Sequence, residues 1–285
     1  MKYTIQDFDK QYPDDSACLE HIWQWVYGDN FICPSCQREG QFHRVKRRKS
    51  YACSCGYQVN PMAKTIFEKS RTSLRTWFLA IYLMSQSKNG ISAKELQRIS
   101  GVAYRTAWRM TRQIRKMMGQ SPSMLSGTVE ADETYYGGRP RFRNKKNKRG
   151  RGAKNKTPIV GVVQRGGGIR VKAVSDTKRS TVMPLIRDSV EIGTDLMTDE
   201  YNIYKSAKNH GYNHRTVNHG GKEYVRGEVH TNTIEGFWSQ LKRSINGTFH
   251  SVSPKYLQYY VDEFAFRYNY RIIDQNLFLT LLERI

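Results

Sequence analysis

The spacing of apolar residues changes near residue 127, and the predicted secondary structure changes with it. Residues 66–122 carry apolar side chains at steps of three and four, which predicts helices. From Thr128 onward, short apolar runs alternate with glycine-bearing turns and helical stretches, which predicts strands interspersed with helices. Residues 1–65 are instead rich in turn residues and cysteine. We therefore predict three regions: residues 1–65, 66–122 and 123–285.

The third region predicts three strands, a helix, a strand, a helix, a strand and a final helix. The strands are predicted in residues 127–138, 156–168, 169–176, 195–199 and 213–219, and two of the helices in residues 177–193 and 232–245. This order is that of ribonuclease-H-like α/β domains, which contain a mixed five-stranded sheet flanked by helices. We expect that fold class for residues 123–285.

The charge of the chain narrows the choice of partner. Its 285 residues include 47 Lys and Arg against 25 Asp and Glu, a formal net charge of +22. With 38% hydrophobic residues the chain is not a disordered basic tail, and it contains neither a long apolar run for a membrane span nor an apolar leader at Met1. We expect a cytoplasmic protein whose partner is nucleic acid rather than a membrane.

Most of this charge lies in two segments. Residues 64–120 hold 12 basic residues against two acids, and residues 139–156 hold ten basic residues and no acid. Each segment therefore contributes +10, and the rest of the chain is nearly neutral. The second segment is predicted to be a loop between the first two strands of the third region. Its basic side chains include Arg143, Lys145, Lys146, Arg149 and Arg151. We expect this loop to clamp flanking or target DNA, and a flexible, solvated loop in the free protein is compatible with that role.

Four of the five cysteines are clustered in a pattern that predicts a zinc site. Cys33 and Cys36 form a CPSC pair, and Cys53 and Cys55 a CSC pair. Two thiolate pairs on two short turns suit tetrahedral Zn²⁺, which would stabilise a segment with little core of its own. The second pair is one residue shorter than in most zinc ribbons, so His43 is an alternative fourth ligand. Buried cysteines without metal are the competing interpretation.

Residues 91–118 predict two helices separated by a turn at Gly101. In the second helix, Ala107, Met110, Ile114 and Met117 form an apolar stripe, and Arg105, Arg109, Arg112 and Lys116 form a basic stripe on another face. A helix that is packed on one side and basic on the other, after a glycine turn, is typical of a helix-turn-helix recognition helix in a DNA major groove. An ordinary surface helix would show a similar pattern.

Carboxylates occupy the three positions that a ribonuclease-H-like fold brings to one edge of its sheet. Asp132 lies on the first strand, Asp199 ends the fourth, and Glu235 lies on the last helix. Three such carboxylates can hold two divalent ions, which activate the attacking oxygen and stabilise the leaving oxygen of a phosphoryl transfer. Oxygen ligands favour Mg²⁺ or Mn²⁺. We predict this metal site and these three ligands.

The last helix also supplies a basic group to the same face. Lys242 lies two turns beyond Glu235, where its ammonium is placed to bind a DNA phosphate near the metal ions. A solvent-exposed helix face would also carry polar residues at this spacing. The roles of Glu235 and Lys242 therefore depend on Asp132 and Asp199 as well.

The remaining polar groups near these acids have other expected roles. Glu130 shares a strand face with Asp132 and is a candidate supporting group, whereas Glu133 and Glu200 are expected to be structural. The histidines near this edge are expected to be loop residues rather than ligands: His219, His230 and His250.

Several sequence blocks in the same order resemble one enzyme family. These blocks are CPSC with CSCG, ISAKELQRISGVAYRTAWRM, VEADETYYGG, PIVGVVQR, LMTDEY, HTNTIEGFWSQLKR, GTFHSVS and DEFAFRYNYR. They resemble the DDE transposases of bacterial insertion sequences, in particular the zinc-ribbon group called the IS fifteen-ninety-five or ISXO-two-like family. The resemblance implies a catalytic triad of Asp132, Asp199 and Glu235, with Lys242 as the accompanying lysine. Some members carry Asn as the third residue, which makes Asn232 the alternative to Glu235.

The sequence hypothesis is therefore a DNA transposase with Zn²⁺ and Mg²⁺ or Mn²⁺ as cofactors. It would bind the terminal inverted repeats of double-stranded DNA, cleave a strand at the element end and join the freed 3′-hydroxyl to target DNA. A homodimer or higher oligomer on DNA is expected, since two ends are processed together. The alternatives are a non-catalytic DNA-binding regulator with the same N-terminal regions and a structure-specific nuclease without joining activity.

Overall fold

The computed structural model describes residues 3–46, 48–119, 123–137, 156–221, 223, 225–271 and 276–285. The chain forms two compact units, the first made of residues 1–117 and 275–285 and the second of residues 118–274. The predicted DNA-clamp residues Arg143, Lys145, Lys146, Arg149 and Arg151 lie outside the described residues.

The second unit is built on a mixed five-stranded sheet. Its strands are β4 (Thr128–Tyr136), β5 (Thr157–Gln164), β6 (Ile169–Ala173), β7 (Asp195–Thr198) and β8 (Asn213–Thr216). They lie in the order β6-β5-β4-β7-β8, in which β4 is antiparallel to β5 and parallel to β7. A small antiparallel pair, β9 (Val225–Arg226) and β10 (Val229–His230), follows in the chain.

Helices cover both faces of this sheet. Alternate β4 residues Val129 and Ala131 face a core formed with α6 (Arg179–Arg187) and a helix at Asn202–His210. The opposite face packs against α7 (Asn232–Ser244) and α8 (Leu257–Asn269). The helix predicted after Asp199 is present but has the tighter 3₁₀ geometry. Because side chains alternate along a strand, Glu130 and Asp132 share the α7 face of β4.

The outer edge of β6 is covered by two amide side chains of α8. Gln258 accepts a hydrogen bond from the backbone N–H of Ala173 at 2.7 Å, and Asn269 accepts one from Ile169 at 2.7 Å. The amide nitrogens of the same side chains donate to the carbonyls of Val171 and Ile169. These bonds satisfy backbone groups that an unpaired edge strand would otherwise offer to another strand.

The first unit combines a small sheet with helices. Its helices are α1 (Ile5–Gln11), α2 (Asp15–Val26), α3 (Leu74–Gln86), α4 (Ala93–Ser100), α5 (Tyr104–Met117) and α9 (Leu277–Leu282), and its strands are β1 (Phe42–Arg44), β2 (Tyr51–Cys53) and β3 (Gln58–Val59). The sheet follows the order β1-β2-β3. The stacked rings of Trp23 and Tyr51, 4.2 Å apart, join α2 to β2.

Residues 276–285 belong to this first unit, although the sequence analysis grouped them with the catalytic region. Phe278 of α9 is fully buried, and its ring lies 5.8 Å from that of Phe8 in α1 and 5.7 Å from that of Tyr82 in α3. Aromatic contacts with residues far earlier in the chain therefore hold α9 in place.

Among the described residues, none of the helices is both long enough and apolar enough to cross a bilayer.

Candidate active site and metal centres

The strand register brings Asp132 and Asp199 side by side. Glu130 of β4 pairs with Met197 of the parallel strand β7. Asp132 lies two residues further along β4, and Asp199 directly follows the last residue of β7, so both reach the same edge of the sheet, where neighbouring strands are about 5 Å apart. Asp199 is only 6% exposed, and its Oδ1 accepts a hydrogen bond from the backbone N–H of Tyr201 at 2.9 Å. The register therefore places these two residues at adjacent positions at one edge of the sheet.

Asp132 contacts helix α7 through a tryptophan. The indole Nε1 of Trp238 donates a hydrogen bond to Oδ2 of Asp132 at 3.0 Å. The ring reaches this position by lying on the backbone of β5 at Gly161, where a Cβ would lie 2.7 Å from Cη2 of Trp238. The spacing of Trp238 along the helix is that of an apolar core residue, and its polar ring nitrogen is the sequence signal that points to a buried partner.

The electrostatic environment of Asp132 favours its neutral form. Burial, followed by the negative charges of Glu133 and Asp199, raises the pKa of Asp132 to about 7. The bond from Trp238 opposes this shift because it stabilises the carboxylate. Two acids held this close in a mostly buried site repel each other, and a divalent cation between them would relieve that repulsion.

Glu235 lies in the first turn of α7 and is more exposed than the two aspartates, with 46% of its side chain accessible. Its Oε1 accepts a hydrogen bond from the hydroxyl of Thr231 at 2.8 Å and lies 3.9 Å from Nε2 of His219. Across the described residues, the three predicted acids are not gathered into a cluster like that of the cysteines. The geometry therefore brings Asp132 and Asp199 to adjacent positions and leaves Glu235 in the first turn of α7, in contact with Thr231 and His219.

Lys242 follows on the same helix. Burial lowers its pKa, the nearby charge of Asp132 raises it, and that of Lys156 lowers it. The Lys242 ammonium therefore lies within electrostatic range of the Asp132 carboxylate.

The neighbouring acids have defined structural contacts. Glu133 accepts a hydrogen bond from the hydroxyl of the fully buried Tyr204 at 2.9 Å. Glu200 accepts the backbone N–H groups of His219 at 2.9 Å and Gly220 at 3.3 Å, and so ties the His219 loop to the end of β7. Glu130 is fully buried and contacts the start of α7.

The four clustered cysteines meet in the first unit. The Sγ atoms of Cys33, Cys36, Cys53 and Cys55 all lie within 4.8 Å of one another. Two of the separations are 3.7 Å (Cys33 to Cys55) and 3.6 Å (Cys36 to Cys53). A tetrahedron with Zn–S bonds of about 2.3 Å has edges of about 3.8 Å, so the donor set fits Zn²⁺. The shortened CSC pair therefore places both of its thiols at the site, without His43.

Helix α5 has the two faces that the sequence predicted. Ala107, Met110 and Ile114 are fully buried. Among the basic residues, Arg105, Arg109 and Lys116 are exposed, whereas Arg112 is partly buried and lies over the ring of Trp108 at 5.3 Å.

A groove runs along this helix, and its lining adds two basic residues. Lys69 and Arg71, in the loop before α3, line it together with Arg105 and Arg109. The loop is held by Arg109, whose Nη2 donates to the carbonyl of Glu68 at 3.2 Å. Sequence analysis did not single out Lys69 and Arg71, although both contributed to the charge of residues 64–120.

Models of known protein families match segments in both units of the chain. The model of the transposase zinc-ribbon domain matches residues 13–58. The model of the ISXO2-like transposase domain matches residues 124–269, more than half of the chain. The chain belongs to the ISXO2-like transposase family. The family membership predicted from the sequence is thereby confirmed, as is the α/β fold class with a ribonuclease-H-like domain and a zinc ribbon.

Two relatives extend this family assignment. A Halobacterium salinarum protein, named "Uncharacterized protein in transposable element ISH50", is 30% identical over an alignment of 275 positions that covers 90% of this chain and 92% of the relative. A Haemophilus influenzae protein, named "Uncharacterized transposase-like protein", is 24% identical over 96 residues, which are 34% of this chain and 76% of the relative. The first likeness spans both units of this family member.

The residues at the sheet edge fit the divalent metal ions that the family implies. Asp132 and Asp199 offer hard oxygen ligands, and burial, followed by the negative charges of Glu133 and Asp199, raises the pKa of Asp132. The catalytic roles of Asp132, Asp199, Glu235 and Lys242, and the DNA-binding roles of the basic residues, stay predictions.

Proposed function

We propose that the protein is a DNA transposase that cleaves and joins DNA strands at the edge of its five-stranded sheet. The observation that carries this proposal is the pair of adjacent aspartates, Asp132 and Asp199, on neighbouring parallel strands. A helix that bears Glu235 and Lys242 is attached to Asp132 through Trp238. A structural role alone gives no reason to keep two carboxylates that repel each other at this edge.

Asp132, Asp199 and Glu235 would hold Mg²⁺ or Mn²⁺. When bound, these ions supply charge stabilisation for the attacking and leaving oxygens of a phosphodiester. Trp238 orients the Asp132 carboxylate, and Lys242 binds a non-bridging phosphate oxygen beside it. Asn232, one helical turn before Glu235, is the alternative third ligand.

Two phosphoryl transfers are expected at this site. In the first, a water oxygen attacks phosphorus at the element end, the bond from phosphorus to the 3′ oxygen breaks, and a 3′-hydroxyl is released. In the second, that hydroxyl attacks a target phosphodiester, a new bond joins the strands, and the displaced target oxygen leaves with a proton. Both steps require the same groups to hold a phosphate in line with its nucleophile.

The first unit would bind the element ends. Arg105, Arg109, Arg112 and Lys116 on α5, with Lys69 and Arg71 beside them, form a basic surface suited to DNA phosphates and groove edges. The zinc ribbon would hold its short strands in place through Cys33, Cys36, Cys53 and Cys55. The basic residues of 139–156 are proposed to clamp DNA near Asp132. Two ends must be processed together, so a dimer on DNA is expected.

A strand-transfer assay tests the proposal. The purified protein is incubated with a labelled element end, a plasmid target and Mg²⁺ or Mn²⁺, and both cleaved and joined products are measured. Asp132→Asn, Asp199→Asn and Glu235→Gln should each abolish both products while DNA binding is retained. Asn232→Ala should retain activity if Glu235 is the third ligand.

The outcomes separate the competing functions. Cleavage without joining in either metal would favour a nuclease, and specific DNA binding with no cleavage would favour a regulator. Products that persist in the aspartate variants would overturn the site assignment.

A further inference from the structure

The N-terminus of α7 is not capped by the side chain of its own N-cap residue. Thr231 occupies the N-cap position, where a threonine hydroxyl commonly accepts a backbone N–H of the first turn. Its hydroxyl instead donates to Oε1 of Glu235 at 2.8 Å, and it makes no cap hydrogen bond. The first N–H groups of α7 therefore need an acceptor from elsewhere in the fold.

That acceptor is Glu130 on β4. Its Oε2 accepts the backbone N–H groups of Thr233 at 2.8 Å and Ile234 at 3.0 Å, and its Oε1 accepts the hydroxyl of Thr233 at 2.9 Å. A carboxylate at a helix N-terminus is also favoured by the helix dipole. The cap of α7 thus comes from a strand about a hundred residues earlier in the chain.

Two basic groups complete the environment of this buried carboxylate. Nε of Arg165 lies 2.7 Å from Oε1, and Nδ1 of His230 lies 3.2 Å from it. Arg165 also donates to the carbonyls of Glu228 at 2.8 Å and His230 at 3.0 Å, so it binds the turn that leads into α7. A fully buried carboxylate is stable only with such partners.

These contacts leave Glu130 no free lone pair for a metal ion. An ionised carboxylate offers about four acceptor sites, and four donors already fill them, with His230 close by. Its function is therefore exerted through what it holds: β4, which carries Asp132 two residues later, and the turn of α7 that carries Glu235.

We propose that Glu130 is a positioning residue that sets Glu235 of α7 against Asp132 of β4. This inference depends on the proposed function, because it gives Glu130 a role in building the metal site. The new element is that Glu130, which binds no metal itself, fixes where Glu235 lies relative to Asp132.

The test compares Glu130→Gln with Glu263→Gln in the full-length, zinc-loaded protein. Glu263 is also fully buried and bonded to an arginine, Arg267, but lies on α8. Two quantities are measured for each variant: hydrogen exchange of peptides covering residues 231–241, and Mn²⁺ affinity from the signal of free Mn²⁺ in electron paramagnetic resonance. Asp132→Asn and Asp199→Asn identify the binding that belongs to the sheet edge.

The Glu130→Gln variant should exchange faster at the start of α7 and bind Mn²⁺ about tenfold more weakly, as is common when a group that orients metal ligands is removed. High Mn²⁺ should restore part of its cleavage activity. The Glu263→Gln variant should change neither the hydrogen exchange of residues 231–241 nor the Mn²⁺ affinity. Unchanged exchange at α7 in Glu130→Gln would overturn the capping role, whatever the protein catalyses.

Further outcomes distinguish the positioning role of Glu130 from the proposed function of the protein. Faster exchange with unchanged Mn²⁺ affinity would reduce Glu130 to a structural cap and overturn positioning. Wild-type protein without Mn²⁺ binding at Asp132 and Asp199 would overturn the proposed function and the positioning role together. If Glu130→Gln does not fold, Thr233→Val removes one donor and keeps the buried charge; it should show smaller changes in the same two directions, and no change would overturn the proposal.

Discussion

The indole nitrogen of Trp238 donates a hydrogen bond to Oδ2 of Asp132 across the interface between helix α7 and strand β4. One side chain thereby connects the element that carries Glu235 and Lys242 to the strand that carries Asp132. The bond also stabilises the charged form of a carboxylate whose surroundings favour the neutral form.

Replacing this indole should shift the pH dependence of the reaction. The carboxylate form of Asp132 is needed to hold a cation, and the cation competes with the proton. At a fixed, subsaturating Mn²⁺ concentration, activity should therefore rise with pH to a midpoint at or below the metal-free pKa of about 7. Trp238→Phe removes a bond that lowers this pKa, and the midpoint should move upward by roughly 0.5–1 pH unit, equivalent to one hydrogen bond of about 1 kcal/mol. Cleavage rates between pH 5.5 and 9 measure it, with Phe237→Leu as a packing control that should leave the midpoint in place.

A methyl group at residue 161 should disturb the same contact by steric means. The Cβ of Gly161→Ala would lie 2.7 Å and 2.9 Å from two carbons of the Trp238 ring. We expect a loss of about 1–3 kcal/mol in the free energy of unfolding. Gly236→Ala on α7 is the matched control, because a Cβ at residue 236 meets nothing within 4 Å. This substitution should stabilise the helix by up to about 1 kcal/mol. Equal effects in chemical denaturation would contradict this interpretation.

Neutralising Asp132 should stabilise the protein in the absence of Mg²⁺ and Mn²⁺. The native pKa of about 7 lies above the unfolded value of about 3.9, so the native state retains a proton that the unfolded state has released. Stability is therefore lost as pH rises between these values. Asp132→Asn should be more stable than wild type above pH 7, by roughly 1–4 kcal/mol, and the difference should vanish near pH 4.

Scanning calorimetry at pH 8 and pH 4.5 measures this difference. Added Mn²⁺ should raise the melting temperature of wild type and leave Asp132→Asn unchanged, because only the wild-type site binds the ion. Glu235→Gln, at an exposed position, should show little of the metal-free stabilisation. A less stable Asp132→Asn at pH 8 without metal would refute the prediction.

The cysteine cluster predicts about one Zn²⁺ per chain. Cys36→Ser should lower the zinc content and loosen the segment of β1 to β3, since the ion provides much of its folding free energy. Cys18→Ala should retain full zinc, because Cys18 is a buried thiol outside the cluster whose pKa burial raises to about 12. Elemental analysis of the two variants makes the comparison, and equal zinc contents would contradict the assignment.

The basic groove predicts a salt-dependent loss of DNA affinity. Combined Arg105→Ala and Arg109→Ala substitutions should weaken binding to the element end and reduce the slope of log K against log salt by about one per lost phosphate contact. Arg179→Ala removes an exposed arginine of α6 and should leave the slope unchanged. If α5 reads bases, the loss should be larger for the element end than for a random duplex of equal length. An unchanged slope in the double variant would locate DNA binding elsewhere.

The sequence predicted those features that depend on local periodicity and on the order of elements. The stripes of α5 follow from the helical repeat, and the adjacency of Asp132 and Asp199 follows from two parallel strands that end at one edge. The cysteine spacing indicated a zinc site but left the fourth ligand open. In the structure the Sγ atoms of Cys53 and Cys55 both lie within 4.8 Å of those of Cys33 and Cys36, which favours the four cysteines as the ligand set.

The features that the sequence did not reveal depend on contacts between distant segments. Trp238 has the apolar spacing of a core residue, and its bond to Asp132 arises only because Gly161 leaves room for the ring. Glu130 was recognised as sharing a face with Asp132, but nothing local shows that it caps a helix that begins at Asn232. The six residues of α9 are too few for periodicity to show which unit they join.

The position of α9 has a consequence for how the chain folds during synthesis. Phe278 fills the aromatic core that Phe8 and Tyr82 begin, so that core stays incomplete until Leu277–Leu282 have been made. Contacts of such large sequence separation also form slowly. The residues of the second unit lie wholly between the two segments of the first. The second unit can therefore fold before the last helix of the first unit has been synthesised. We expect the unit whose synthesis starts first to reach its native state last.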